Sequence, residues 1–147
     1  RVVVNPAPAC DIPESDMRKI SVFTPNETEF AYYSGVDPVL MTEEALAARM
    51  LEWEKRYGHT LIVTRGAQGC SFIEKGQFRT IPAEKIEVVD TTGAGDAFNA
   101  GLCTSLASGL PLSEAVAIGN QVAARVVTQA GAQSALPTLQ QLRNEGF

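Results

Sequence analysis

The chain of 147 residues is poor in the side chains that carry most metal and nucleophile chemistry, with one histidine, His59, and three cysteines, Cys10, Cys70 and Cys103. A single imidazole leaves little material for a histidine-built metal centre or a histidine-paired nucleophile. Cysteines so few and so far apart exclude a disulfide framework and read as buried thiols of a reducing compartment. No run approaches the roughly 20 apolar residues of a membrane span, and no signal-peptide pattern opens the sequence. Positive charge is scarce as well. Twelve Lys and Arg stand against 17 Asp and Glu, a net charge of -5, which argues against nucleic acid or anionic membrane as partners. Repeats, low-complexity tracts and interdomain linkers are missing. What is there, 45% hydrophobic and 20% charged, suits a globular cytoplasmic protein long enough for one domain with its own core.

Hydrophobic patterning predicts an α/β protein. Arg1–Val4 reads as a short buried strand stopped by Asn5-Pro6-Ala7-Pro8, and Ile20–Phe23 as a second strand closed by Thr24-Pro25. Asn26 opens a helix that Gly35 ends. Thr42 caps a longer helix, with acids in its first turn and Lys55 and Arg56 in its last. Leu46, Met50, Trp53 and Tyr57 form its apolar stripe, which is core, while Glu52 and Arg56 pair on its solvated face. Thr60–Thr64 is a β-branched run of the kind parallel sheets bury on both faces. Cys70–Glu74 and Gln77–Ile81 form a hairpin about Lys75-Gly76, and Ile86–Val89 is a further strand. Helices follow over Ala97–Ser108 and Leu112–Gln129, with a terminal helix over Thr138–Glu145. His59 reads as a surface turn residue and Cys103 as an unreactive thiol. The order implies a mostly parallel sheet flanked by helices, whose ligands collect at the carboxyl ends of the strands.

The segment richest in chemistry runs from Val89 to Gly101, Val-Asp-Thr-Thr-Gly-Ala-Gly-Asp-Ala-Phe-Asn-Ala-Gly. Gly93, Ala94 and Gly95 allow close approach to backbone N–H groups, and at a helix start these are unpaired and face an anion. An acid there, Asp96, repels phosphate but suits removal of a proton from a hydroxyl attacking phosphorus. The plainer alternative makes Asp96 the N-cap. Neither the nucleotide P-loop nor the dinucleotide fingerprint is present.

That segment resembles the second signature of the ribokinase-like (PfkB) carbohydrate kinases, residue after residue. Others follow the family in order: Val4-Asn5-Pro6-Ala7-Pro8-Ala9, Asn26-Glu27-Thr28-Glu29 as its N-x-x-E, Thr64 to Gly69 at its nucleotide-binding strand end, and Gly131-Ala132-Gln133 before Pro137. The first and last of these look like the ribokinase branch.

The resemblance implies a ribokinase-like Rossmann-type three-layer sandwich, incomplete at its N-terminal side. Residues 1–147 would be the C-terminal, nucleotide-binding part of a single domain, without the N-terminal half and β lid that grip the sugar. The full-length protein would be a homodimer, and the fragment alone a poor catalyst. The implied reaction is ATP-dependent phosphorylation of a sugar, ribose to ribose 5-phosphate, with fructose, a deoxygluconate, tagatose 6-phosphate or a nucleoside as alternative acceptors. A nucleotide-binding module without turnover is the remaining alternative. Asp96 would be the catalytic base touching the sugar, and Gly93, Ala94 and Gly95 the anion hole. ATP would meet Asn26, Thr64, Arg65, Gly66, Ala67, Gln68, Gly69, Gly95, Asp96 and Asn120. Gly66 and Gly69 also read as turn glycines, and Asn120 as a partly exposed helix residue. Glu29 would organise Mg²⁺ and its waters, although Asn26 and Glu29 also spell a capping box. A monovalent cation, K⁺, would take carbonyls of Asp90, Thr92, Val126, Gln129, Gly131 and Ala135. At Ala135 ribokinases often carry Ser, and Ser134 is adjacent.

Overall fold

The computed structural model describes residues 1–37, 42–131, 135–138 and 140. They fall into two compact units, one formed by Arg1–Gly66 with Cys70–Thr80 and the other by Ala67–Gly69 with the chain from Ile81 onward.

The first unit holds β1 (Val3–Val4), α1 (Glu14–Met17), β2 (Val22–Phe23), α2 (Glu27–Ser34), α3 (Glu43–Tyr57), β3 (Thr60–Thr64) and β4 (Cys70–Glu74). β5 (Gln77–Ile81) ends where the second unit resumes. The sheet order follows the sequence, β1-β2-β3-β4-β5. β1, β2 and β3 run parallel, with Val3 opposite Val22 and Val22 opposite Thr60. β4 turns antiparallel to β3, with Ile62 opposite Phe72. Parallel neighbours need crossover connections, and α2 with α3 supplies the one between β2 and β3. Lys75 and Gly76 both have positive φ, 53° and 76°, the geometry that a type I′ hairpin turn requires.

β3 is buried on both faces, Leu61, Ile62 and Val63 all at 0% exposure. Leu46, Met50 and Trp53 of α3 join Phe23, Phe30, Leu61 and Val63 in one apolar cluster, each large side chain contributing about 1.5–3 kcal/mol. β1 is the edge strand and only half-buried, with Val2 exposed, so the expected buried strand over Arg1–Val4 is shorter and wetter than its composition suggests. α1 was not foreseen, since one turn carries no periodicity. It buries Met17 in the same cluster, while Glu14 pairs with Arg18 at 2.7 Å.

Side-chain expectations are corrected at three places. His59 is not a surface turn residue: it is buried, and the Trp53 Nε1–H donates to its Nε2 at 2.8 Å. Its ring stacks on Tyr57 at 5.7 Å, so entry into β3 folds inward onto an aromatic cluster. Glu52 pairs not with Arg56 but with Arg49, at 2.9 Å, while Arg56 lies over the Tyr57 ring and reaches Glu14. Of the thiols, only Cys70 is fully buried, and burial pushes it up to about 12. Cys103 is half-buried and also raised by burial, as an unreactive thiol should be, and Cys10 is exposed.

The second unit is built on α4 (Ala94–Ala107) and α5 (Leu112–Val126). Their backbones come unusually close where Gly101 faces Gly119. A Cβ on Gly119 would lie 2.8 Å from the Phe98 ring, and one on Gly101 would lie 3.1 Å from the Gly119 Cα. α4 starts at Ala94 rather than Ala97, and α5 ends at Val126, where Thr128 and Gln129 N–H groups turn back to Arg125 and Val126 carbonyls. Ile86–Val89 is not a strand. Val88 and Val89 are exposed, and the Val89 N–H donates to the Val127 carbonyl at 2.8 Å instead of entering a ladder. Most of the helix expected over Thr138–Glu145 lies outside the described residues.

Gly119→Ala should cost about 1–3 kcal/mol in denaturant unfolding, because the added methyl must displace Phe98 or part the helices. Burial holds the His59 pKa below its ordinary 6.5, so the unfolded chain takes up this proton first. Stability should therefore fall as pH drops from about 6.5 towards the folded value. The emission of Trp53, the one tryptophan, reports it, and His59→Gln should flatten that pH dependence.

Candidate functional site

In the second unit the sequence Asp90-Thr91-Thr92-Gly93 makes a turn that delivers α4. Gly93 is the N-cap, with φ 82° and ψ 0° and no side chain to cap with. Only glycine adopts this left-handed conformation at little cost. The helical ladder begins with the Ala97 N–H on the Gly93 carbonyl at 2.9 Å, and the Ala94 N–H turns back to Thr91 at 3.2 Å. Among the described residues the N–H groups of Gly95 and Asp96 have no acceptor. They are the orphan donors of a helix start, reinforced by the positive end of its dipole.

Asp96 is the third residue of α4 and not its cap, which disposes of the alternative reading of its carboxylate. The side chain is exposed and, among the described residues, has no hydrogen-bond or ion-pair partner. Gly95 is equally informative. It is helical, and a Cβ there would meet nothing within 4 Å. Alanine would favour the helix by up to about 1 kcal/mol, so neither packing nor backbone conformation requires glycine. What glycine leaves open is the approach to the donors.

The turn is fastened to the chain beyond α5. Asp90 accepts the Thr92 N–H at 2.9 Å through Oδ1 and the Gly131 N–H at 3.1 Å through Oδ2. Hydrogen bonds from Thr92, then Gly131, hold its carboxyl below the usual range. The Val89 and Asp90 N–H groups both donate to the Val127 carbonyl, at 2.8 and 3.2 Å. The structure thus brings together Asp90, Thr92 and Gly131 of the expected cation set. Val126 and Ala135 share a buried cluster with Ala97 and Val122, while Gln129 is exposed. Ala135 offers no hydroxyl, and Ser134, like Ala132 and Gln133, lies outside the described residues. With the Asp90 carboxylate committed to N–H groups, the oxygens remaining are backbone carbonyls and the Thr92 hydroxyl, all uncharged. An uncharged oxygen set of this kind suits a weakly held cation and offers none of the carboxylates that tight divalent sites use.

Two expected nucleotide residues converge elsewhere in this unit on the Ile81 carbonyl. Asn120 is buried, 8% exposed, and its Nδ2 donates to that oxygen at 3.0 Å, so it is not the partly exposed helix residue of the alternative reading. Gly69, with φ 87°, packs so tightly that a Cβ would stand 2.0 Å from the same oxygen. Its glycine is demanded by the fold. Ala67 and Gln68 are exposed on a short 3-10 turn, Gly66–Gln68.

In the first unit, Asn26, Glu29, Thr64 and Arg65 stand at the carboxyl ends of β2 and β3. The Thr64 N–H donates to the Pro25 carbonyl at 3.0 Å, and Asn26 bridges to Thr64 as a parallel partner. Asn26 Oδ1 accepts the Glu29 N–H and Glu29 Oε2 accepts the Asn26 N–H, both at 2.8 Å. The capping box is therefore formed, and it buries Glu29 to 8% exposure. Among the described residues no trio of His, Cys, Asp or Glu gathers into a metal cage. The donor set fits only a hard cation held through water and the ligand's own oxygens, with Glu29 as the carboxylate. Gly66 has φ 53° and open space around it. Arg65, by contrast, is held inside the protein by Glu27 at 3.2 Å and Ser71 at 3.2 Å.

Sequence reasoning missed the Asp90 carboxylate, named only for its carbonyl. Asp-x-Thr is an Asx-turn pattern and could have revealed its bond to Thr92, but no local signal announces Gly131.

The pfkB family carbohydrate kinase profile matches residues 1–139. Ribokinase of Haemophilus influenzae is 38% identical over 96% of this chain and 45% of its own length. The structure of Thermotoga maritima ribokinase matches with a TM-score of 0.85 at 31% identity, over 97% of this chain and 48% of that one. Aminoimidazole riboside kinase of Salmonella enterica, solved with aminoimidazole riboside and an ATP analogue, matches with a TM-score of 0.72 at 30% identity. That match covers 89% of this chain and 43% of the other. The chain spans about half the length of the relatives it matches. Its fold is the ribokinase-like α/β fold, incomplete relative to theirs, and the chain belongs to the pfkB family of carbohydrate kinases.

Proposed function

We propose that the protein carrying these residues transfers the γ-phosphoryl group of ATP to a sugar hydroxyl, with ribose as the acceptor and ribose 5-phosphate as the product. The observation that carries this reading is one turn of α4. Among the described residues it presents donors without acceptors at Gly95 and Asp96, a glycine the fold does not need, and a carboxylate without a partner. Asp96 takes the proton of the attacking hydroxyl, a contribution of roughly 10²-fold to 10⁴-fold. The N–H groups of the Gly93–Asp96 turn receive charge that develops on the phosphoryl oxygens. Phosphoryl transfer through a loose transition state asks chiefly for this positioning and charge stabilisation. Asn26 and Glu29 would hold Mg²⁺ through its waters, and that ion, when bound, neutralises phosphate charge. Carbonyls of the Asp90–Thr92 and Gly131 segments would hold K⁺ behind the anion hole. Arg65 and Gly69 are reassigned to structural tasks, while Gly66, Ala67 and Gln68 remain exposed enough to meet nucleotide.

The choice of ribose rests on the ribokinases among the relatives. A riboside acceptor is the second reading, favoured by the likeness to aminoimidazole riboside kinase. A coupled ADP-release assay over ribose, fructose and ribosides discriminates them, and failure to release ADP with any sugar leaves a nucleotide-binding module.

Asp96→Asn should lower turnover by roughly 10²-fold to 10⁴-fold while leaving nucleotide binding nearly intact, and near-normal turnover would overturn the assignment. Gly95→Ala should separate stability from function, with unfolding free energy unchanged or raised by up to about 1 kcal/mol and turnover down roughly 10²-fold. Asp90→Asn leaves one acceptor for two donors. Faster amide exchange at Gly131 and a weaker response to K⁺ are the expected outcomes.

A further inference from the structure

The strand end that follows β3 carries a cation where a nucleotide contact would be expected, yet its geometry points inward. The Arg65 side chain is only 10% exposed. Its Nε donates to Glu27 Oε1 at 3.2 Å, its Nη1 donates to Ser71 Oγ at 3.2 Å, and the same nitrogen lies 3.9 Å from Glu43 Oε1. Ser71 Oγ in turn meets Thr80 Oγ1 at 3.0 Å, and that hydroxyl reaches Glu43 at 3.5 Å. One guanidinium thereby joins the first turns of α2 and α3 to β4 and β5. A planar fork can serve several partners at fixed angles, whereas an ammonium is a single point charge.

Glu27 is the first residue of α2, directly after Asn26 and in the same turn as Glu29. We infer that Arg65 is a positioning residue: it locks the first turn of α2, and through it sets the pose of Asn26 and Glu29 towards a phosphate-bound divalent cation, without touching the nucleotide. The inference rests on the reading of Asn26 and Glu29 given above. Outer partners of this kind typically govern metal affinity by roughly 10-fold to 100-fold.

The test is calorimetric titration of the chain with ATP, once with Mg²⁺ and once with EDTA, for wild type, Glu29→Gln, Arg65→Met, Arg65→Lys and Glu27→Gln. Thermal melts establish that each variant is folded. Arg65→Met should weaken binding roughly tenfold with Mg²⁺ and leave the EDTA value unchanged, with Arg65→Lys in between. Glu27→Gln should weaken Mg²⁺-dependent binding in the same direction. It removes the ion pair from the exposed side, leaving at most a neutral hydrogen bond, so it keeps the inference testable if Arg65→Met does not fold. Adding Glu27→Gln to Arg65→Met should cost nothing further, since one link is already broken. Equal losses with and without Mg²⁺ would make Arg65 a direct nucleotide contact and overturn the inference. So would a Glu29→Gln effect that neither the Arg65 nor the Glu27 variants share. If Glu29→Gln leaves Mg²⁺ dependence untouched, or the wild type binds no ATP, the underlying reading of the site fails, and the inference fails with it.

Discussion

Everything proposed for the second unit depends on one constraint: a helix start that offers its amides to an anion must be held still without those amides being used. Caps are the ordinary means of steadying a helix terminus, and they work by consuming the donors. Here the steadying is done from outside the first turn. Asp90 ties the incoming turn to Gly131, and Val127 accepts two N–H groups from Val89 and Asp90. Behind them the Gly101–Gly119 contact brings the α4 and α5 backbones together, with Phe98 filling the space beside it. A glycine N-cap completes the arrangement, because it bends the chain into α4 and offers no side chain to the donors. Preorganised donors of this type act without reorganisation cost during reaction.

The first unit solves a different problem by sharing residues between tasks. Asn26 and Glu29 satisfy each other's backbone N–H groups and so start α2. The same bonds fix where Glu29 stands. The structural reading of N-x-x-E and the cation role proposed for it are therefore compatible: the cap supplies the rigidity that a single carboxylate would need to hold a cation through water. The bridge from Asn26 to Thr64 and the Thr64 N–H bond to Pro25 register this cap on the sheet. The sheet is firm there because β3 is buried on both faces and backed by the Phe23–Trp53–His59 cluster.

What was legible in the sequence divides by distance along the chain. Asn26, Gly35, Thr42 and Gly58 announced helix ends, and Lys75-Gly76 announced a hairpin, because each signal is carried within a few residues. Interactions across 30 or 40 positions were not legible. Nothing near Arg65 names Glu27, 38 positions away, and even the bond from Trp53 to His59, six positions apart, follows no helix or turn spacing. Ile86–Val89 failed for a related reason. β propensity states fitness for a sheet and not the presence of a neighbour, and here the Val89 N–H found Val127 instead. At the site itself, the motif located Gly93–Asp96 but not the helix boundary. Whether Asp96 caps or stands clear was decided by α4 starting at Ala94, a shift that boundary signals do not resolve.

The charge balance acquires a mechanical meaning from these placements. A polyphosphate site could be expected to gather lysines or arginines around it, yet Arg49, Arg56 and Arg65 are all engaged with acids of their own unit. Backbone donors have an advantage beside a proton acceptor that basic side chains lack. A lysine in the first turn of α4 would form an ion pair with Asp96, occupying the oxygen that the proposed mechanism directs to a substrate hydroxyl. An amide N–H is fixed in the helix and cannot swing onto the carboxylate. Donors for an anion and an available carboxylate thus share one turn, about one residue's rise apart along α4, 1.5 Å, which is the separation of tasks that the proposed transfer needs.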